Sequence, residues 1–102
     1  MKVSEIAFSC YPVTDITRAR TFYEGLLGLT PTMDHETPGG HWVEYEIGPA
    51  TLAIGKAPGW EPSRQGCSVG LEVEDFDSAV AELQAAGVPF VIGPLETPVC
   101  HM

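Results

Sequence analysis

The sequence is poor in basic residues. Its 102 residues include 5 Lys and Arg against 14 Asp and Glu, which gives a formal net charge of −9 at pH 7. This charge disfavours nucleic acid and anionic membrane surfaces as partners. No apolar run approaches the ~20 residues of a membrane span, and the charged Lys2 and Glu5 interrupt the N-terminal stretch that a secretory signal peptide would need. With 44% hydrophobic residues, the chain is expected to be a globular, cytoplasmic protein.

The sequence also has few cysteines. Cys10, Cys67 and Cys100 are odd in number and widely spaced. Without a Cys-x-x-Cys pair they favour neither a zinc knuckle nor a disulfide framework, and we interpret them as reduced thiols. No phosphate-binding loop, zinc motif or Ser-His-Asp arrangement is visible. The common motifs therefore predict no reaction, and catalytic residues stay unassigned.

A helix is predicted from about residue 16 to residue 27. Asp15 is suited to cap its N-terminus, because the carboxylate can accept the free amide hydrogens of the first turn. Gly28 stands where a left-handed C-cap favours glycine. The apolar face of this helix is formed by Ile16, Ala19, Phe22, Tyr23, Leu26 and Leu27. These residues recur at helical spacing, so the helix is expected to pack one face on a sheet.

The same pattern returns further along the chain. Asp75 follows Asp15 by 60 positions, and Gly87 follows Gly28 by 59. Between Asp75 and Gly87, apolar residues at helical spacing predict a second helix over about 76–86. An internal repeat explains a shared cap, helix length and glycine stop better than coincidence does.

Strands are predicted around both helices from their composition and alternation. They cover residues 5–13, 31–34, 42–47 and 51–55 in a first module, and 67–73 and 89–92 in a second. The first module (1–57) therefore has the order strand-helix-strand-strand-strand, and residues 58–66 form a linker. The second module (67–102) repeats this order only in part, although the turn at 36–41 returns at 96–101. We expect either a longer chain or a partner chain to complete its sheet.

Three stretches carry a further signal: Tyr-Pro-Val-Thr-Asp at 11–15, Phe-Tyr-Glu-Gly-Leu-Leu-Gly-Leu at 22–29 and Leu-Glu-Val-Glu-Asp at 71–75. With these stretches in two βαβββ modules, the chain resembles the vicinal oxygen chelate superfamily, which includes glyoxalase I, the bleomycin-resistance proteins and the extradiol dioxygenases. The resemblance implies an α+β fold of two modules in a pseudo-twofold arrangement, with the second module truncated. It selects no single activity, because the fold hosts lyases, isomerases, dioxygenases and pure binders.

The resemblance also implies where a metal would bind. Members of the family offer ligands seven residues before the cap Asp of each module, and a Glu near the centre of the fourth strand. Here these positions are occupied by Phe8, Ser68 and Ala53. Phe and Ala have no lone pair to give, and Ser is a poor ligand for divalent metals. We therefore expect no metal cofactor, with a divalent metal held by other residues as the alternative.

Strand alternation places the candidate ligand-binding residues on one face of the sheet. In the family this face of a cup-shaped sheet is the cavity, and the opposite face packs the helices. The candidate site residues are Phe8, Cys10, Trp42, Glu44, Ala53 and Ser68. Aromatic walls with a few carboxylates suit a small organic ligand, and carboxylates without a metal favour a ligand that is cationic or donates hydrogen bonds.

Two functions from different classes remain. The first is a metal-independent protein of the bleomycin-resistance type, which binds a small organic molecule as a homodimer. The second is a metal-dependent lyase or dioxygenase whose ligands lie outside the family positions. The metal content of the purified protein distinguishes the two.

Overall fold

The structure is a computed structural model, which describes residues 1–93. The chain divides into two compact units, residues 1–66 and residues 67–102. The second copy of the repeated turn, at 96–101, lies outside the described residues, as does Cys100. Among the helices of residues 1–93, none is long and apolar enough to cross a membrane.

The first unit contains a four-stranded sheet and one helical region. Its elements follow in the order β1 (Ser9–Pro12), α1 (Ile16–Arg20), a π-helical segment (Thr21–Leu26), β2 (Pro31–Thr37), β3 (Gly40–Ile47) and β4 (Ala50–Lys56). The strand order in the sheet is β1-β4-β3-β2. Strand β1 runs parallel to β4, and the other neighbours are antiparallel. The predicted strand-helix-strand-strand-strand order and the α+β fold class are confirmed.

The core lies on one face of strands β3 and β4, which pair over most of their length. Val43 and Tyr45 alternate along β3 and pair in register with Ile54 and Leu52 of β4. All four are buried, and partly buried residues of α1 and the π-helical segment pack against them. Burying each aliphatic side chain contributes about 1.5–3 kcal/mol. Because side chains alternate along a strand, the intervening residues of β3 and β4 face the opposite side of the sheet.

The helical region after β1 has one residue more between its cap and its glycine stop than the helix of the second unit. Asp15 accepts a hydrogen bond from the backbone N–H of Arg18 at 3.0 Å, and Gly28 follows the helix at φ +72°. In the last turns, the N–H of Leu27 bonds to the carbonyl of Phe22, five residues back. The wider π turn accommodates the extra residue, which accounts for a spacing of 59 rather than 60 between the glycine stops.

The described part of the second unit contains α2 (Phe76–Ala85). Asp75 caps it by accepting a backbone N–H of the first turn at 3.1 Å, and this hydrogen bond lowers the pKa of Asp75. At the other end, the N–H of Val88 bonds to the carbonyl of Leu83 at 3.0 Å, around Gly87 at φ +77°. This is a Schellman ending, and the predicted helix with its cap and stop is confirmed.

Two strand predictions are wrong and one is too long, and a fourth is too short because β2 covers Pro31–Thr37 rather than 31–34. Residues 67–73 and 89–92 are not strands, and β1 covers Ser9–Pro12 rather than 5–13. A strand needs a neighbouring backbone for its hydrogen bonds, and within residues 1–93 no segment pairs with 67–73 or 89–92. Val69, on the apolar face predicted for the first of these segments, is 44% exposed. These segments have the composition of strands, but a strand forms only where a neighbouring backbone pairs with it.

Candidate ligand-binding face

Three of the predicted site residues form a row across the sheet of the first unit. Ala53 of β4 is the direct register partner of both Cys10 of β1 and Glu44 of β3. Side chains of directly paired residues lie on the same face of a sheet. Ala53 is fully buried, Glu44 is half-buried and Cys10 is exposed. The row therefore places a carboxylate and a thiol on either side of a small apolar floor.

The indole of Trp42 is held in place by two neighbours. Its Nε1–H donates a hydrogen bond to Oε2 of Glu44 at 2.6 Å. The Phe8 ring meets it edge-on, with 5.6 Å between ring centroids and 88° between ring planes, which is a favourable aromatic geometry. Phe8, Trp42 and Glu44, which the sequence assigns to one site, are thus in contact.

A second tryptophan, which the sequence assigned to the linker, also lies on this surface. Trp60 stacks on Trp42 with 6.3 Å between centroids and 19° between planes. It lies over Gly55, where a Cβ would come within 2.7 Å of Cζ3 of Trp60. A glycine inside a strand often marks such a close approach. Gly55 was therefore the sequence signal that another group packs on this face of β4. We call the surface formed by Phe8, Cys10, Trp42, Glu44, Ala53, Gly55 and Trp60 the aromatic face.

Ser68, the remaining predicted site residue, belongs to the second unit and is exposed there. A groove of about 780 Å³ lies at one end of the first unit's sheet and includes Trp60, His41 and Lys56 in its lining. Trp42 and Glu44 do not line this groove. A pocket with Trp42 and Glu44 on its wall therefore stays a prediction, as does ligand binding by Ser68.

The core side of the sheet carries a chain of polar contacts that the sequence analysis did not find. The hydroxyl of Tyr45 donates to Oε2 of Glu24 at 2.8 Å, and Arg20 pairs with the same carboxylate at 2.6 Å. Arg20 also pairs with Asp34. Nε2 of His41, which lies in β3 rather than in the predicted turn, is 2.5 Å from Oδ1 of Asp34. The spacing of four residues between Arg20 and Glu24 was the one sequence signal for this chain.

We call the group of residues that these contacts join the polar chain; it consists of Arg20, Glu24, Asp34, His41 and Tyr45. The contacts shift the pKa values of its two carboxyl groups and of its phenol. The hydrogen bond from Arg20 lowers the pKa of Glu24, and hydrogen bonds from His41 and then Arg20 lower the pKa of Asp34. Burial, followed by the hydrogen bond to Glu24, raises the pKa of Tyr45. Both carboxylates are thus ionised and the phenol is neutral near neutral pH. The polar chain links the helical region to β2 and β3 and supports the sheet from behind.

The fold and the aromatic face agree with a match to a known family. The sequence profile of the Glyoxalase/Bleomycin resistance protein/Dioxygenase superfamily matches residues 4–102. The chain belongs to this superfamily. The resemblance inferred from the sequence motifs is confirmed.

Two solved structures from Streptomyces sp. CB03234 are similar to this superfamily member. TnmS3, an antibiotic binding protein, is 27% identical with a TM-score of 0.76, over 96% of this chain and 82% of that one. A glyoxalase/bleomycin resistance protein is 27% identical with a TM-score of 0.71, over 92% and 83% of the two chains. The trypanothione-dependent glyoxalase I of Leishmania major shares the fold, at 22% identity and a TM-score of 0.69 over 85% and 69%. No curated protein matches the sequence.

The metal positions implied by the superfamily do not fit a divalent ion in this member. Phe8 presents an aromatic ring and Ala53 a buried methyl group, and neither has a lone pair for a metal. Ser68 has a neutral hydroxyl, which is a weak ligand for divalent ions. In the described part of the chain, no group of three or more His, Cys, Asp and Glu residues is placed to hold a metal. A metal beside Phe8 and Ala53 would find none of its usual donors in these two side chains.

Proposed function

We propose that this protein binds a small organic molecule on the aromatic face of its sheet, without a metal at positions 8, 53 and 68. The observation that carries the proposal is the orientation of Trp42 by Glu44 and Phe8. An ordered indole beside a carboxylate gives a ligand both stacking area and a charged hydrogen-bond acceptor. Binding sites are built in this way, from apolar walls with few placed polar groups.

The chemistry of the face favours a planar aromatic ligand that carries positive charge. Oε2 of Glu44 accepts the indole N–H of Trp42, and Oε1 has no hydrogen-bond partner among residues 1–93. This oxygen is therefore available to a donor on the ligand. The face of Trp42 also attracts cations through its π system. The likeness to TnmS3, an antibiotic binding protein, supports a small organic ligand.

The proposed assembly is a cytoplasmic homodimer. Strand β1 lies at one edge of the first unit's sheet, and an open edge offers backbone groups to a second copy. A dimer would also cover apolar residues of the second unit such as Val69. Light scattering at micromolar concentration is expected to give twice the chain mass of 11.0 kDa. A monomer under these conditions would contradict the dimer but not the ligand-binding role.

Proflavine, a planar aromatic cation, tests the proposal, with the neutral tricycle phenazine as its counterpart. Both are expected to quench tryptophan fluorescence on binding. Glu44→Gln keeps an acceptor for the Trp42 indole but removes the charge. The substitution should weaken proflavine binding about fivefold, since a partly exposed charge pair is worth up to ~1 kcal/mol. It should leave the affinity for phenazine unchanged.

Glu46→Gln is the matched control for this experiment. Glu46 lies two residues further along β3 on the same face, is exposed, and has no hydrogen-bond partner in the part of the chain that is described. Its substitution is expected to leave the affinity for both probes unchanged. Equal effects of the two substitutions, or no binding of either probe, would exclude a role for the Glu44 carboxylate.

The alternative function is a metal-dependent lyase or dioxygenase with ligands outside the family positions. Among residues 1–93 no donor cluster favours it. Its test is elemental analysis of protein that was purified without a chelator.

A further inference from the structure

Trp60 covers the part of the aromatic face that a flat ligand would use. Its ring is nearly parallel to that of Trp42 and lies over Gly55, as stacked aromatic rings do. The indole of Trp42 is fixed by Glu44 and Phe8. The indole N–H of Trp60, in contrast, has no hydrogen-bond partner among residues 1–93. The two tryptophans of the stack are therefore held very differently.

The backbone that carries Trp60 is attached by few contacts. The N–H of Trp60 bonds to the carbonyl of Ala57 at 3.2 Å, and the same two residues form an isolated bridge. Gly59 makes the turn at φ +78°, and residues 61–66 are exposed. A turn with few hydrogen bonds and exposed neighbours opens at low free-energy cost. Trp60 can thus leave Trp42 without disturbing the sheet.

We propose that Trp60 is a cover that competes with planar aromatic ligands for the face of Trp42; this inference rests on the ligand-binding role proposed above. When the turn at 57–60 opens, a slot as thick as one ring forms between the face of Trp42 and the backbone of Gly55. A flat ring takes the place of the indole, with the Glu44 carboxylate at the rim. A side chain at Gly55 would enter the slot, so the glycine keeps it open to a flat ring.

The cover lowers ligand affinity through the equilibrium between its closed and open positions. The apparent dissociation constant equals the intrinsic constant divided by the open fraction. Every ligand therefore binds more weakly than it would to an uncovered Trp42, and the loss of affinity grows as the open fraction falls. If the slot is open in about one molecule in ten, removing the indole tightens binding about tenfold.

Proflavine titrations of the full chain, followed by the fluorescence anisotropy of the dye, test this role. Trp60→Ala is expected to bind the dye about tenfold more tightly than wild type. The affinity of Trp60→Phe for the dye should lie between those of wild type and Trp60→Ala. Weaker or unchanged binding by Trp60→Ala would overturn the proposal and make Trp60 a wall of the site or a bystander.

A second measurement needs no ligand. The chain has two tryptophans, so protein labelled with 5-fluorotryptophan gives two ¹⁹F signals, which Trp60→Phe assigns. The Trp60 signal should show relaxation dispersion from exchange between two environments, and the Trp42 signal should show exchange at the same rate because it loses and regains the stacked ring. A Trp60 signal without exchange would overturn the cover. Exchange at Trp60 in a protein that binds no proflavine in any variant would support the moving cover and reject the ligand-binding role.

Discussion

The hydroxyl of Tyr45 donates a hydrogen bond to the carboxylate of Glu24 across 2.8 Å, although the two residues lie 21 positions apart. Tyr45 is fully buried in β3, and a buried hydroxyl is costly without a partner. Glu24 comes from the π-helical segment, so the wider turn of this segment places the acceptor over the sheet. The contact joins the core on one side of β3 to the polar chain of Arg20 and Asp34.

Tyr45→Phe should lower the free energy of unfolding by about 1.5 kcal/mol, because hydrogen bonds to charged groups are worth roughly 1.5–3 kcal/mol. Urea denaturation of the two proteins measures the difference. Tyr11→Phe is the control, since Tyr11 packs against the same core but its hydroxyl has no hydrogen bond within residues 1–93. Equal losses in the two variants would mean that the Glu24 contact adds nothing.

Stability should fall on acidification through the polar chain. The pKa values of Glu24 and Asp34 lie below their ordinary values of 4.5 and 3.8 in the folded state. Lowered pKa values stabilise the fold above those ordinary values, and this stabilisation is lost as the pH falls through the folded-state pKa. Wild type should therefore lose stability below about pH 4.5.

Glu24→Gln isolates the contribution of one carboxylate to this loss. The variant should be less stable than wild type at pH 7, and the difference should be smaller at about pH 3, below the ordinary pKa of 4.5 from which the stabilisation by the lowered pKa of Glu24 is progressively lost. Urea denaturation at both pH values measures it, with the exposed Glu46→Gln as the control that keeps the wild-type pH dependence. If Glu24→Gln loses as much stability as wild type on acidification, the carboxylate of Glu24 does not cause this loss.

Two glycines of the first helical region should respond to alanine in opposite directions. At Gly25 the helical backbone suits alanine, and a Cβ would lie 3.9 Å from Cγ2 of Thr21, an ordinary contact. Gly25→Ala should therefore stabilise the protein by about 0.5–1 kcal/mol. Gly28 has φ +72°, so Gly28→Ala should destabilise it by about 1–2 kcal/mol.

Thermal and urea denaturation of these two variants measure both effects. The pair shares one helix and one substitution, so a difference in sign reports backbone conformation alone. The same sign for both would show that Gly28 does not hold the left-handed conformation in solution.

Protein purified without a chelator should contain far less than one zinc, nickel, manganese or iron ion per chain. Phe8 and Ala53 offer no donor atoms, and water competes for an ion held by a single side chain. Elemental analysis before and after EDTA treatment measures the content. A stoichiometric metal that is lost on EDTA treatment together with a catalytic activity would revive the lyase or dioxygenase function.

Local features of this protein were determined by the sequence alone. Asp15 and Asp75 cap the two helices, and Gly28 and Gly87 follow them, because caps and stops depend on residues within one turn. The four strands of the first unit were found because their neighbours in the ladder lie within residues 1–66. Alternation along β3 and β4 also predicted which side chains share the aromatic face, since that follows from strand geometry.

The tertiary structure decided the features that depend on a distant partner. Residues 67–73 have the composition of a strand, but a strand also requires a backbone beside it, and composition does not supply one. The pairing of Tyr45 with Glu24 depends on how a π turn rotates the helix over the sheet. The stacking of Trp60 on Trp42 depends on the space left by Gly55. Such contacts arise from packing between segments far apart in the chain, which no local pattern encodes.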